Sequence, residues 1–475
     1  MKLRTFINIT AVLVASIGGT VSAQNVYTLE MCREMALKNN KAGAIAELTA
    51  EKTGYDSKAY LANFFPKISA SGAYLFTNME SKRTIKGNYL PTFVPDPATG
   101  QLKPNVLTMP DGTPLMGADG NPVFREYAYF PDMSLDLRTN GTYFAGIRAE
   151  QPIYMGGKIS SAYKMSLIGK EIAELNKDLT RAEIIVKTDE AYWLHLKAVE
   201  SRKVAKAFQE VVGELLRNVE NAQKAGMRSR NDVLKVQVQA NKAELQMMQV
   251  ENAVRLSRMN LWQIIAPSNS PQGQEMLVSD DLKTDTRISP SGGVEARPES
   301  SILDKQIELK SQQIKLVRSD FLPNIGVMGN YGYIHGVKLN DSPLFDQASL
   351  SALVTVSIPI FHWGEGMNKI RAARAEKQIM QLKRDDLSEK MELERIQTLD
   401  KLNESELEVT MTVRALEQAE ENMRTSREHY EAGMETLADY LEAQTLWQQA
   451  WLENINAKIN QKLNHTYYLK TIGEL

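Results

Sequence analysis

Two short phrases hold the residues best equipped for chemistry. AQKAGMRSRNDVLKVQV, at 222–238, sets Arg228 and Arg230 just ahead of Asp232, and EAGMETLADYLEAQ, at 431–444, sets Asp439 one turn before Glu442. Guanidinium and carboxylate groups so placed can pair with one another or gather cations. A plainer role competes with that one. Gly226 and Gly433 stand in long helical runs, where glycine costs roughly 1 kcal/mol relative to alanine. Glycine adopts positive φ cheaply, which suits a helix C-terminal cap and a reversal of the chain. Asp232 and Asp439 then fall near the start of the returning helices, where N-capping and the helix dipole favour an acid.

Nothing else in the chain offers a reaction. The five histidines (His195, His335, His362, His429, His465) have no metal-ligand spacing, and the lone Cys32 excludes an internal disulfide. GEGMNKI at 364–370 lacks the Gly-Lys-Ser/Thr ending of a phosphate loop and reads as a strand-to-helix turn needing flexible backbone. A net charge of −2 gives no electrostatic case for nucleic acid. No enzyme, cofactor or metal site is expected.

The elements that position the two phrases begin with a secretory signal peptide over 1–23. Lys2 and Arg4 precede the apolar stretch Ile7–Ile17, and VSA offers small residues for cleavage before Gln24. Cys32 follows LEM rather than small residues, so lipidation is not expected. Past residue 23 no run of 18 apolar residues occurs. If the exported chain enters a membrane, it does so as strands.

The chain is duplicated. FFPKISASGAY at 64–74 matches FLPNIGVMGNY at 321–331 with an offset of 257, and QPIYMGGKI at 151–159 matches IPIFHWGEG at 358–366 with an offset of 207. The second offset holds from Pro152/Pro359 through Gly157/Gly364, Gly226/Gly433, Met227/Met434 and Asp232/Asp439 to Gln237/Gln444. The difference of 50 places extra residues in 78–141, whose prolines and glycines read as a long exposed loop.

Each repeat holds two segments alternating with period two, at 66–77, 142–153, 323–335 and 349–361. Their apolar faces are Ile68 to Phe76, Tyr143 to Ala149, Ile325 to Tyr333 and Leu350 to Ile358 on alternate residues. Each is long enough to cross a bilayer when tilted, and aromatics near the ends suit a membrane-interface belt. Pro152 and Pro359, with Gly157 and Gly364, mark the strand-to-helix junctions. Four strands cannot close a barrel, and edges exposed to lipid leave backbone groups unpaired, so a membrane reading requires several chains to close one barrel.

From Lys158 to Ala225, and again from Glu365 to Ala432, the pattern is helical, and 68 residues span roughly 100 Å. Ile168, Ile172, Leu175, Leu179, Ala182 and Val186 make a heptad seam. The return helix over 233–266 carries two seams on nearly opposite faces: Val236, Ala240, Ala243, Met247, Val250, Val254, Leu261 and Ile264, and then Leu234, Val238, Leu245, Met248, Met259 and Trp262. Such a helix touches a neighbour on each side. The helix over 233–266 plus that over 296–321, and 441–470 plus 28–64, each sum to nearly the length of one long helix, which predicts short helices stacked end to end along a long one. Three parts follow: a first repeat over 24–266 with its tip near 226, a polar equatorial segment over 267–295, and a second repeat over 296–475 with its tip near 433.

On these residues the sequence resembles the TolC-like outer-membrane efflux proteins. YTLEMCREMALKNN, the two F-[FL]-P-x-I strand entries, QPIYMGGKISSA with IPIFHWGEGMNKIRAA, and the paired AGM…D.L…Q tips carry the resemblance across essentially the whole mature chain. It implies an α+β membrane protein, a homotrimer whose four antiparallel strands per chain close a 12-stranded barrel in outer-membrane lipid. A long coiled-coil α-helical barrel then continues across the periplasm. It further implies an efflux or secretion duct fed by a periplasmic adaptor (membrane fusion) protein and an inner-membrane pump. By the same analogy Asp232 bonds Tyr430 to hold a periplasmic gate shut, and Asp439 and Glu442 ring the lumen. Gly226, Met227, Gly433 and Met434 form the tips that meet the adaptor. Glu435 departs from the family, standing where a basic gate residue is often found; Arg228 and Arg230 are the alternative basic partners. Competing readings are an exported structural coiled-coil protein without a channel and, within the family, a type I protein-secretion or metal-efflux duct.

Overall fold

The computed structural model describes residues 26–266, 277–278 and 293–475; the expected signal peptide and most of the 267–295 segment lie outside the described residues. In chain order the elements are β1 (Val26–Tyr27), α1 (Leu29–Asn39), α2 (Lys41–Leu61), β2 (Lys67–Ile85), β3 (Asn88–Pro91), β4 (Phe93–Pro95), β5 (Leu102–Pro104), β6 (Tyr127–Phe130), β7 (Met133–Met155), α3 (Lys158–Lys224), α4 (Arg230–Ile265), β8 (Leu277–Val278), α5 (Pro298–Ser319), β9 (Asn324–Leu339), β10 (Ser342–Ser357), α6 (Glu365–Glu431) and α7 (Leu437–Thr471). The duplication is plain in the lengths, since α3 and α6 each have 67 residues. Two compact units make up the chain: Lys58–Tyr163 with Gln313–Arg371, and Met1–Ser57 with Lys164–Gln312 and Ala372–Leu475.

The first unit holds a four-stranded antiparallel sheet in the order β10-β9-β7-β2. Ile147 pairs with Ala70 on one side and Tyr331 on the other, and Tyr331 pairs with Leu350. The four expected apolar faces therefore share one side of the sheet. That side is bare: Ile68 is 74% exposed and Leu350 80%. The opposite side carries Arg148, whose guanidinium donates to Asn330 Oδ1 at 2.9 Å. At about 3.3 Å per residue, the 23 residues of β7 extend roughly 75 Å, well beyond a hydrocarbon core. Edge strands β2 and β10 each have one unpaired edge within the chain.

The expected loop over 78–141 is shorter than the sequence suggested. β2 and β7 pair as far out as Ile85 and Met133, and only 86–132 leaves the sheet. Its composition hid further order, because β3 pairs with β6 and β4 with β5 in two-stranded ribbons. Pro152 lies at an irregularity of β7, where pairing to β9 shifts between Pro152 and Tyr154. Gly157 (φ 85°) and Gly364 (φ 81°) precede α3 and α6, and Pro359 follows the end of β10.

The second unit is a helical assembly with its core midway along α3. Ile184, Tyr192 and Leu196 of α3 are buried among Cys32 and Ala36 of α1, Leu261 and Ile265 of α4, and Ile455 and Ile459 of α7. Asp189, fully buried, accepts two hydrogen bonds from Arg33 (2.7 and 2.5 Å) and one from Thr466 Oγ1 (2.7 Å). That pair ties α1, α3 and α7 together with the carboxylate fully partnered, as a buried charge requires. Burial, with the Asp189 and Glu30 charges beside it, pushes the Cys32 thiol up to about 12.

End-to-end stacking is present in the contacts. Along α3, Glu171 meets Lys305 of α5 (2.6 Å), His195 meets Ser257 of α4 (2.9 Å), and Glu220 meets Gln237 of α4 (3.5 Å). The first helix is two, α1 and α2, broken at Asn40, whose side chain donates to Ile264 O. On α4 the seam through Val236, Ala243 and Leu261 is buried, whereas Leu234, Val238, Leu245, Met248 and Met259 stay exposed. Trp262 is the exception in that second seam. It turns into the core, edge-on to Tyr27 at 5.6 Å.

Candidate functional site: the two hairpin tips

Both long helices end alike. At the first tip Gly226 (φ 76°) donates to Gln223 O at 3.0 Å and Met227 to Ala222 O at 2.8 Å; at the second, Gly433 (φ 74°) donates to Tyr430 O at 3.1 Å and Met434 to His429 O at 2.8 Å. This is the paired bonding of a Schellman cap, in which the left-handed residue is most cheaply glycine. The accompanying methionines point away from the helices, Met227 80% exposed and Met434 71%.

The returning helices begin with matching capping boxes. Ser229 Oγ accepts from Asp232 N at 3.2 Å, and Asp232 Oδ2 accepts from Ser229 N (3.3 Å) and Oγ (2.9 Å). Thr436 and Asp439 repeat it, with Asp439 Oδ2 accepting from Thr436 N at 3.3 Å and from Oγ1 at 2.6 Å. Each aspartate satisfies orphan N–H groups and places its charge at the positive helix end. The signal was present in the sequence as Ser229-x-x-Asp232 and Thr436-x-x-Asp439, although Ser229 and Thr436 were not singled out.

The tips meet where Arg228 of the first lies over an aromatic ring of the second. Tyr430 of α6 stacks on Tyr440 of α7 at 5.3 Å and 19°, and the Arg228 guanidinium lies 4.8 Å from the Tyr430 ring centre. Beneath them Val212, Leu215 and Val219 of α3 pack with Val236 of α4 and Leu437 of α7. Burial pushes the Tyr430 phenol up; the Arg228 charge opposes this and the Asp232 charge adds to it. Among the described residues no Asp232–Tyr430 hydrogen bond forms within the chain; Asp232 Oδ2 is engaged by Ser229. Tyr440 was not anticipated, since its repeat counterpart is Val233.

Of the remaining candidates, Arg230 and Glu442 are exposed beside their tips. Glu435, the counterpart of Arg228, has a buried Oε2 with no hydrogen-bond partner among the described residues. Among the described residues no group of histidine, cysteine or carboxylate side chains could hold a metal ion, and no helix is long and apolar enough to cross a membrane.

Solved structures of bacterial membrane proteins share this fold. A membrane protein from Pseudomonas aeruginosa is 16% identical with a TM-score of 0.73, covering 94% of this chain and 93% of that one. The Campylobacter jejuni CmeC outer membrane channel is 17% identical with a TM-score of 0.69, covering 94% and 85%. The open-state Neisseria gonorrhoeae MtrE outer membrane channel is 15% identical with a TM-score of 0.67, covering 94% and 88%. At these identities the likeness speaks for the fold. Among curated proteins no sequence match is found. The model of the outer membrane efflux protein family matches residues 33–266 and 303–466, and the chain belongs to that family. Its fold class is accordingly α+β, internally duplicated, with four antiparallel strands per chain and long coiled-coil helices.

Proposed function

We propose that the protein is a passive export duct of the outer membrane, built as a homotrimer and gated at its helix tips. The observation that carries this reading is the sheet: one side apolar and bare, with both edges unpaired. Three copies of four strands would close twelve, pairing β2 of one copy with β10 of the next and turning the apolar side to outer-membrane lipid. The exposed seam of α4 supports the same association. So does a second stripe on α6, where Ile379, Leu382, Leu393, Ile396 and Leu407 are exposed at heptad spacing.

In this reading the hairpins continue the duct through the periplasm, and a periplasmic adaptor with an inner-membrane pump supplies cargo and energy. Exposed Met227 and Met434 would be the adaptor's contacts. Closure would come from tip charges of unlike sign: Arg228 and Arg230 on one hairpin, and Glu435, Asp439 and Glu442 on the other. The partnerless Oε2 of Glu435 supports a basic partner from a neighbouring copy. No step of chemistry is assigned to the duct itself. Detergent-solubilised protein is expected to sediment as a trimer and to open discrete conductances in planar bilayers. A water-soluble elongated rod without conductance would overturn the reading in favour of a structural coiled-coil protein.

A further inference from the structure

The arm over 86–132 leaves the four-stranded sheet and has no core of its own. It is ordered, with ribbons β3–β6 and β4–β5 and bridges Val106–Phe124, Thr108–Pro114 and Met116–Pro122, yet none of its 47 residues is buried. Isolated two-stranded ribbons are marginal in water unless something covers a face. What this arm leaves uncovered is apolar and aromatic: Tyr89, Phe93, Leu102, Met116 and Tyr129 are all about half exposed or more, Leu102 reaching 71%. Three aromatic contacts already line it, Tyr89–Tyr129 at 5.3 Å, Phe93–Phe124 at 6.1 Å and Phe124–Tyr127 at 5.8 Å.

Composition points the same way. Six of the 47 residues are aromatic, against 7% of the chain, and eight are charged, against 24% of the chain. Aromatic enrichment with depleted charge is part of the signature of an interface centre. Three of the acids set turns: Asp96, Asp111 and Asp119 accept from backbone N–H groups two residues on, at 3.2, 3.0 and 3.2 Å. Lys86, Lys103 and Arg125 against Asp96, Asp111, Asp119, Glu126 and Asp132 leave each arm a net charge of −2, a repulsion between solvated surfaces that salt screens.

The arm is also held in place. Asp132 Oδ1 accepts from Gly87 N at 2.7 Å across its base. Just below, Arg138 bonds Glu80 (3.0 Å), Asp136 (2.7 Å) and Asp341 (2.7 Å), and Asn340 Oδ1 accepts from Asp136 N at 2.8 Å. These contacts fasten the root to the tight turn between β9 and β10. An arm so fastened presents its surface preformed, which lowers the entropy cost of association. It also rises directly from β2, the edge strand expected to pair with the next copy, so its apolar ribbons continue that seam.

We infer that the partner of this arm is the same arm in neighbouring copies, three arms packing together as an outer cap over the mouth of the barrel. The inference rests on the trimeric reading given above. Its test starts from Cys32→Ser, which removes the only cysteine, followed by Tyr89→Cys or Leu102→Cys labelled with pyrene maleimide in the detergent-solubilised protein. Sedimentation as a trimer with excimer emission from at least one position is expected, and emission should be lost when labelled chains are diluted with unlabelled ones during assembly. In a second variant residues 88–130 are replaced by Asn-Gly. It should remain a trimer while its single-channel conductance rises. A trimer with no excimer emission at either position and unchanged conductance after arm removal would overturn the cap. A monomer would instead overturn the trimeric reading beneath it.

Discussion

The first hairpin tip and the second are the same turn built twice, with different charges hung on it. Gly226 and Gly433, Met227 and Met434, Ser229 and Thr436, and Asp232 and Asp439 correspond at an offset of 207 and make the same bonds. Residues that agree in both copies are those the turn needs: a left-handed cap, then a hydroxyl and an acid to start the next helix. Arg228 against Glu435, Arg230 against Leu437 and Val233 against Tyr440 are where the copies part. What the turn does not require is where a function particular to one tip can reside. By that measure Arg228, Glu435, Tyr430 and Tyr440 are stronger gate candidates than the two aspartates.

The largest effect expected from this contrast is on conductance. Replacing Asp232 and Tyr430 together should raise single-channel conductance severalfold in planar bilayers; comparison with Tyr430→Ala alone then separates the ring from the cap. If Asp232→Asn by itself opens the channel as far as the double change, the contrast between cap and gate is broken. Charge exchange sharpens it next. Arg228→Glu and Glu435→Arg should each raise conductance, and the two together should return it toward the parent value if these tips pair across copies.

Smaller effects fall on stability and should be equal at the two tips. Gly226→Ala or Gly433→Ala forces an L side chain to positive φ, at about 1–2 kcal/mol each, read as a lower thermal midpoint of helical circular dichroism. Open space surrounds both positions, so backbone conformation rather than crowding sets the cost. Asp232→Ala and Asp439→Ala should each cost about 0.3–1 kcal/mol as lost capping-box acids at the positive helix ends. A markedly larger loss at Asp232 than at Asp439 would assign Asp232 work beyond capping. The smallest effect is a control away from the tips. Burial, with Lys462 and Arg33 nearby, holds His465 below its ordinary value of 6.5. Stability should therefore fall as pH drops below about 6.5, where the unfolded chain takes up the proton first. His465→Gln should remove that acid-side loss without changing conductance.

Much of the fold was legible because it rests on periodicity. A run free of proline marks α3, seams at heptad spacing mark α4, and alternation marks the apolar part of each of the four sheet strands. Where tertiary contacts decide, the pattern ran out. The break at Asn40 is set both locally, by Ala42 N donating to Asn40 Oδ1 at 2.8 Å, and at long range, by the Asn40 amide donating to Ile264 O some 224 residues away. The strand ends of β2 and β7 lie in polar sequence such as Glu80, Lys82, Asp136 and Arg138, where the cross-strand ion pairs Lys82–Asp136 and Arg138–Glu80 replace the apolar alternation that signals a strand. The arm was hidden by prolines and glycines that punctuate its ribbons. At the tips the glycines were readable from conformation alone, whereas the seating of Arg228 on Tyr430 needs two hairpins folded against each other.

The equal lengths of α3 and α6 carry a consequence for how such a chain can change. Each is bounded by a sheet strand at one end and a capped turn at the other. Removing a single residue from either would rotate everything beyond it by about 100° and draw the turn back by about 1.5 Å. Its seam would leave its neighbours, and one tip would stop short of the other. Substitutions along these helices can accumulate one at a time; gains and losses of length cannot, unless they come as whole heptads in both copies. For this molecule the count of residues between landmarks is itself inherited information, a ruler cut twice to the same mark.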